Sequence, residues 1–176
     1  MCFPSHVDAL SQLSQSWPAA REYMTFSSDC IYNSKHPQFI YMQELMESLT
    51  KPDLTLEKEK DLKVQRTKLS LWNPEKYEEY FSLNISKALS AIRLNFFSRE
   101  LHIFDVTKKL ALITTPTLII CGRYDVQCPL EYSIEMGEFI PSSKLVIFNK
   151  SNHYPFLEES VKFNEVYNSF IEGLVK

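Results

Sequence analysis

Residues 115–125, TPTLIICGRYD, decide how the chain is read. Thr117-Leu118-Ile119-Ile120-Cys121 is a short apolar run, opened by Pro116 and closed by Gly122. An apolar run of this length between turn signals predicts a strand buried on both faces. A second such run, Lys144-Leu145-Val146-Ile147-Phe148, lies downstream. Between them, PLEYSIEMGEFI (residues 129–140) reads as a helix opened by Pro129 and stopped before Pro141. Residues 156–175 place Phe163, Val166, Tyr167, Phe170 and Ile171 on one side of a final amphipathic helix. Strand, helix, strand, helix is the order of a parallel α/β layer. Parallel strands are normally covered on both faces within a wider sheet, so two of them imply missing neighbours. Residues 9–13 offer no clear third strand.

Upstream of Thr114 the patterning is helical. The chain has only three glycines, Gly122, Gly137 and Gly173, and none before residue 122. Glycine serves sharp turns and close backbone approaches, so its absence predicts a mostly helical region with few tight turns. Residues 37–49 place Phe39, Ile40, Met42, Leu45, Met46 and Leu49 at helical spacings, with Pro37 suited to the first turn. Residues 54–71 form a charged helix with a solvated face, for which Asp53 is the expected N-cap. A further helix is predicted from Pro74 through PEKYEEYFSL, and another over residues 86–101, striped by Leu89, Ile92, Phe96 and Phe97.

Composition excludes several classes. The chain has 176 residues, 44% apolar and 23% charged, as a globular domain does. Net charge is −3 and no basic stripe exists, so a nucleic-acid partner is not expected. No apolar run approaches the ~20 residues that span a bilayer, and no membrane partner is expected. The N-terminus lacks a basic start followed by an apolar stretch, so the expected location is the cytoplasm. The acceptor patterns at Asn84-Ile85-Ser86 and Asn149-Lys150-Ser151 then read as chance matches to a glycosylation signal. Cys2, Cys30, Cys121 and Cys128 match no zinc spacing, and neither metal nor cofactor is expected. Cys121 ends a strand, where cysteine acts as a small hydrophobe.

Open parallel sheets bind ligands beyond the carboxyl ends of their strands. Asp125 follows the first strand, in CGRYDVQCP, and His153 follows the second, in FNKSNHYPF. If the strands are neighbours, the two side chains share one edge of the sheet. An aspartate accepting from imidazole Nδ1–H fixes the tautomer and stabilises the imidazolium, and Nε2 then takes a proton from a nucleophile. Taken singly, Asp125 also reads as an N-cap for the helix at Pro129. A lone loop histidine is usually ordinary. Matched strand ends favour the pair.

Thr115 to Asp125, Pro129, Ile140-Pro141, Ser151-Asn152-His153-Tyr154-Pro155 and Glu158 resemble the C-terminal part of an α/β-hydrolase, nearest to the proline-iminopeptidase-like group. The resemblance is specific over residues 113–171 and weaker over 18–110, which resembles the family's helical cap. It implies a partial α/β-hydrolase fold: a divergent segment 1–16, a cap region 17–110, and a β-α-β-α core segment 111–176. It implies Asp125 as triad acid and His153 as triad base, with Pro155 and Glu158 shaping the turn and starting the last helix. The family usually has glycine where Asn152 stands, a mild change because asparagine tolerates positive φ. The family's G-x-S-x-G nucleophile elbow precedes the acid and base, and this sequence has none. Ser5, Ser11, Ser14, Ser16, Ser27 and Ser28 lie in other contexts, and Cys2 and Cys30 are no better substitutes.

The expectation is therefore a C-terminal fragment of a serine hydrolase, inactive alone, from a disrupted or split gene. Completed by an N-terminal portion, it would hydrolyse a small ester or a peptide with a free N-terminus. Trp72, Tyr77, Tyr80, Phe81, Phe96 and Phe97 could wall the pocket, although core packing is the commoner role. Glu44, Glu47 or Glu75 could hold a substrate amine, although each reads more simply as a solvated surface group. The alternative is a non-catalytic remnant or interaction module, associating with a second copy or a complementing chain through an open sheet edge and an apolar cap face.

Overall fold

The computed structural model describes residues 27–49, 51, 53–82 and 106–174. Among them are helices α1 (Phe39–Leu49), α2 (Leu56–Lys68), α3 (Tyr77–Phe81) and α4 (Thr107–Leu110), strand β1 (Thr117–Gly122) and helix α5 (Leu130–Phe139). Strand β2 (Ser143–Phe148) and helices α6 (Pro155–Glu158) and α7 (Ser160–Leu174) follow. The strands pair in parallel, Thr117 opposite Ser143 and Gly122 opposite Phe148, so their carboxyl ends are level. The connection through α5 is the crossover that parallel pairing needs. Met136 and Ile140 pack with Leu110 and Ile119 into one buried cluster, against which Val106, Ile113 and Leu145 also rest.

Both strands were expected to be buried on both faces, and only β1 is. In β2, Lys144 is exposed and Leu145, Val146 and Ile147 are half-buried. Thr117 N–H donates to Ser142 O and Arg123 N–H to Phe148 O, so the even-numbered carbonyls here face β1 and Ile147 O faces away. Lys162 Nζ donates to Ile147 O at 2.7 Å and lies 4.4 Å above the Phe148 ring. A lysine on a strand's outer edge discourages another strand from adding there.

Within the described residues the helical expectations hold with four corrections. Helix α1 begins at Phe39, and only Met42 and Leu45 of its stripe are buried. The N-cap of α2 is Thr55, whose Oγ1 accepts from Lys58 N–H, so Asp53 lies outside the helix. The helix expected from Pro74 opens with a 3-10 turn over Pro74–Lys76 before α3. The last helix is interrupted at Glu159 (φ −128°, ψ 51°), whose carboxylate is engaged by the loop before it. The helix expected over 86–101, Phe96, Phe97 and the segment 1–16 lie outside the described residues.

Candidate active site

The site begins with Gly122. A Cβ there would lie 1.9 Å from Asn152 O and 2.6 Å from Ser151 O, so only glycine lets the loop after β2 pass this close to β1. Tyr124 N–H then donates to Ser151 O at 3.1 Å, joining the two strand-end loops. That approach brings the two predicted residues together. His153 Nδ1 lies 3.0 Å from Asp125 Oδ2 and 3.1 Å from Oδ1, with the side chains 10% and 9% exposed.

Asp125 is not an N-cap for α5. That position belongs to Pro129, which makes no side-chain cap bond. Asp125 Oδ1 instead accepts from Gln127 N–H at 2.9 Å and Cys128 N–H at 2.8 Å. Two backbone donors fix the carboxylate before the imidazole meets it, and bonds to a charged acceptor are among the stronger ones. Pro155 starts α6 as expected.

Three further residues, Asn152, Ser70 and Glu158, complete the frame through partners that the sequence does not show. Asn152 was expected to tolerate positive φ, yet no described residue has it. Its buried side chain is a strut: Oδ1 accepts from Val126 N–H at 3.1 Å and Nδ2 donates to Leu69 O at 3.5 Å. Buried Ser70 accepts from Gln127 Nε2 at 2.7 Å, and its carbonyl accepts from His153 N–H at 3.2 Å. Glu158 was expected to shape the turn and start the last helix, and it lies in the first turn of α6, as expected. Its carboxylate accepts from Asn152 N–H and Trp72 N–H. The i+5 spacing from His153 to Glu158 was the available signal; the partners, up to 86 residues apart, were not legible.

Electrostatics follow from burial. Desolvation raises the Glu158 carboxyl above its ordinary value, offset in part by backbone N–H donors. Burial pushes the Tyr154 phenol up to about 12, and the Cys121 thiol likewise to about 12 with the charge of Asp125 adding to it. Cys121 is therefore a thiol packed as a hydrophobe, not a thiolate nucleophile. Cys30 is buried and its thiol is raised by burial too. Ser5, Ser11, Ser14, Ser16 and Cys2 lie outside the described residues. Among the described residues no group of three or more His, Cys, Asp or Glu could hold a metal, and no helix is long and apolar enough to cross a membrane.

Aromatic rings link α3 to the histidine. Tyr77 stacks on Phe81 at 4.9 Å, Phe81 meets Tyr154 edge-on at 5.5 Å, and Tyr154 meets His153 edge-on at 5.2 Å. Tyr80 is buried and Trp72 exposed, while Glu44, Glu47 and Glu75 all lie on the surface.

The chain matches no family model. It is 37% identical over 71 residues to a proline iminopeptidase of Heyndrickxia coagulans, covering 40% of this chain and 24% of that protein. It is 41% identical over 66 residues to an AB hydrolase superfamily protein of Bacillus subtilis, covering 38% and 25%. Among solved structures, an alpha/beta fold family hydrolase from Bacillus anthracis aligns with a TM-score of 0.78 and 36% identity, over 85% of this chain and 54% of that one. The fold is thus part of an α/β-hydrolase fold. Within that class the similarity to proline iminopeptidases read from residues 113–171 holds. The matches span about a quarter of the length of these curated relatives and about half of the solved structure. These relatives are named as hydrolases, and nothing among them favours a non-catalytic interaction module.

Proposed function

We propose that this chain supplies the acid, the base and part of the cap of a serine hydrolase acting on a small ester or a peptide with a free N-terminus. The nucleophile would come from an N-terminal portion not present in this sequence, which has no G-x-S-x-G. One observation carries the reading: His153 Nδ1 stands 3.0 Å from a carboxylate already fixed by two backbone donors, at the level carboxyl ends of adjacent parallel strands.

The chemistry follows from that geometry. Asp125 accepts from Nδ1–H, so the ring presents Nε2 as its basic nitrogen. Nε2 takes the proton of a serine hydroxyl as the oxygen attacks the substrate carbonyl. Asp125 stabilises the imidazolium that forms. The imidazolium returns the proton to the leaving alcohol or amine, and a water then repeats the sequence to release the acid. An oxyanion hole would also come from the missing portion, and one of its donors is worth about 3 kcal/mol of barrier. The chain alone should therefore turn over little substrate.

Reconstitution tests the proposal. The chain is co-expressed with the nucleophile-bearing N-terminal portion of a proline iminopeptidase relative and assayed with a chromogenic short ester. Turnover is expected only for the pair, falling by about 10³-fold or more in His153→Ala. Equal turnover with and without His153, or with the chain omitted, would overturn it.

A further inference from the structure

Glu158 reaches two places at once. Its Oε2 accepts from Asn152 N–H at 2.8 Å, one residue before His153. Its Oε1 accepts from Trp72 N–H, in the turn between α2 and α3. The neighbouring Glu159 behaves differently. Its Oε2 accepts from Lys150 N–H at 2.8 Å and Ser151 Oγ–H at 2.7 Å, both on the histidine loop itself. One glutamate closes the loop locally; the other straps it to the cap region.

We propose that Glu158 is a positioning residue that couples the cap turn at Trp72 to the histidine loop and so holds His153 against Asp125. Three observations converge on it. First, the strap bonds the N–H of Asn152, the residue before His153, so a single side chain bridges Trp72 and the histidine loop. Second, the same turn meets the loop again through Ser70 O, which accepts from His153 N–H, and Leu69 O, which accepts from Asn152 Nδ2. Third, burial raises the carboxyl of Glu158, so its charged form is held here at some cost in stability. A glutamine would avoid that cost, but its amide has one acceptor oxygen where the carboxylate has two. Only a carboxylate can accept from both N–H groups through separate oxygens.

The strap makes cap position and imidazole position one variable. A ligand that moves the turn at Trp72, which is 46% exposed, would move the ring of His153 as well. Its catalytic meaning rests on the hydrolase reading above, but its test reads protons and not turnover, so the two fail separately.

The experiment is NMR on the full chain, comparing wild type, Glu158→Gln and Glu159→Gln. In Glu158→Gln, exchange of the Trp72 or Asn152 amide proton should accelerate at least about tenfold, as for loss of one charge-assisted hydrogen bond. The low-field Nδ1–H signal of His153 should weaken or vanish while the urea midpoint still reports a folded chain. Glu159→Gln should leave Trp72 exchange unchanged. An unaltered Nδ1–H signal in Glu158→Gln, with Trp72 released, would make Glu158 a merely structural tie and overturn the proposal. Should that variant not fold, the wild type decides alone. Trp72 N–H in its exposed turn should be protected roughly 100-fold over its intrinsic rate, and an unprotected amide overturns the strap.

Discussion

The strand-end loops and the paired helices α1 and α2 are built on opposite principles. Around Asp125 and His153, placement comes from polar side chains bonded to backbone: Asp125 to Gln127 and Cys128, Asn152 to Val126 and Leu69, and Glu158 to Asn152 and Trp72. In α1 and α2 only Met42, Leu45 and Leu62 are buried, and Tyr41 Oη–H donates to Gln65 Oε1 across the pair at 2.8 Å. A buried polar nail admits one geometry, because its unmet donors and acceptors would be costly. A small apolar contact admits many. The contrast shows where precision has been placed: at the imidazole, not in the helices beside it.

The sharpest way to break that contrast is Gly122→Ala. A methyl group 1.9 Å from Asn152 O cannot be accommodated without moving the histidine loop. The expected loss is at least about 3 kcal/mol, at the upper end for overpacking, with separation of His153 from Asp125. Urea unfolding and the His153 ring signals check it. Leu110→Ala attacks the apolar cluster under the sheet and should cost about 2–5 kcal/mol. The same urea titration reads it, and the cost should fall on the layer while the α1–α2 pair keeps its helicity.

The third prediction concerns pH. Burial raises the Glu158 carboxyl in the folded chain, so its contribution is fullest below the ordinary glutamate value and is lost as pH rises through the raised one. The groups facing it are the backbone donors of Trp72, Asn73, Asn152 and Tyr154 and the phenols of Tyr80 and Tyr154. The Tyr154 phenol, pushed up to about 12, does not titrate in that window. Stability of wild type relative to Glu158→Gln should fall as pH rises from the ordinary carboxylate range and then level off. A flat difference across a pH series of unfolding curves would refute it. The smallest effect belongs to the helices: Thr55→Ala removes the α2 cap and should cost about 1 kcal/mol, seen as lower helicity without change at His153.

Much of this fold is legible in the sequence, for identifiable reasons. The strands are apolar runs bounded by proline and glycine, and parallel pairing puts the residues after them on one edge. That logic alone places Asp125 and His153 at one edge of the sheet. What stayed hidden depends on tertiary partners. Asn152 resembled a tolerant loop residue, but its role is set by Val126 and Leu69, the latter 83 residues away. The break at Glu159 contradicts its helical pattern because the side chain is drawn to Lys150 and Ser151. The half-buried face of β2, where Lys162 caps the Ile147 carbonyl, depends on tertiary packing, and apolar content alone gives no hint of it.

The proposed chemistry requires one hydrogen bond, from His153 Nδ1 to Asp125. Nitrogen-15 and proton correlation spectra of the wild-type His153 ring, at a pH where the ring is neutral, test it directly. The proton should reside on Nδ1, shifted to low field by Asp125, with Nε2 the unprotonated nitrogen. A neutral ring carrying its proton on Nε2, with no low-field Nδ1–H signal, would contradict the account.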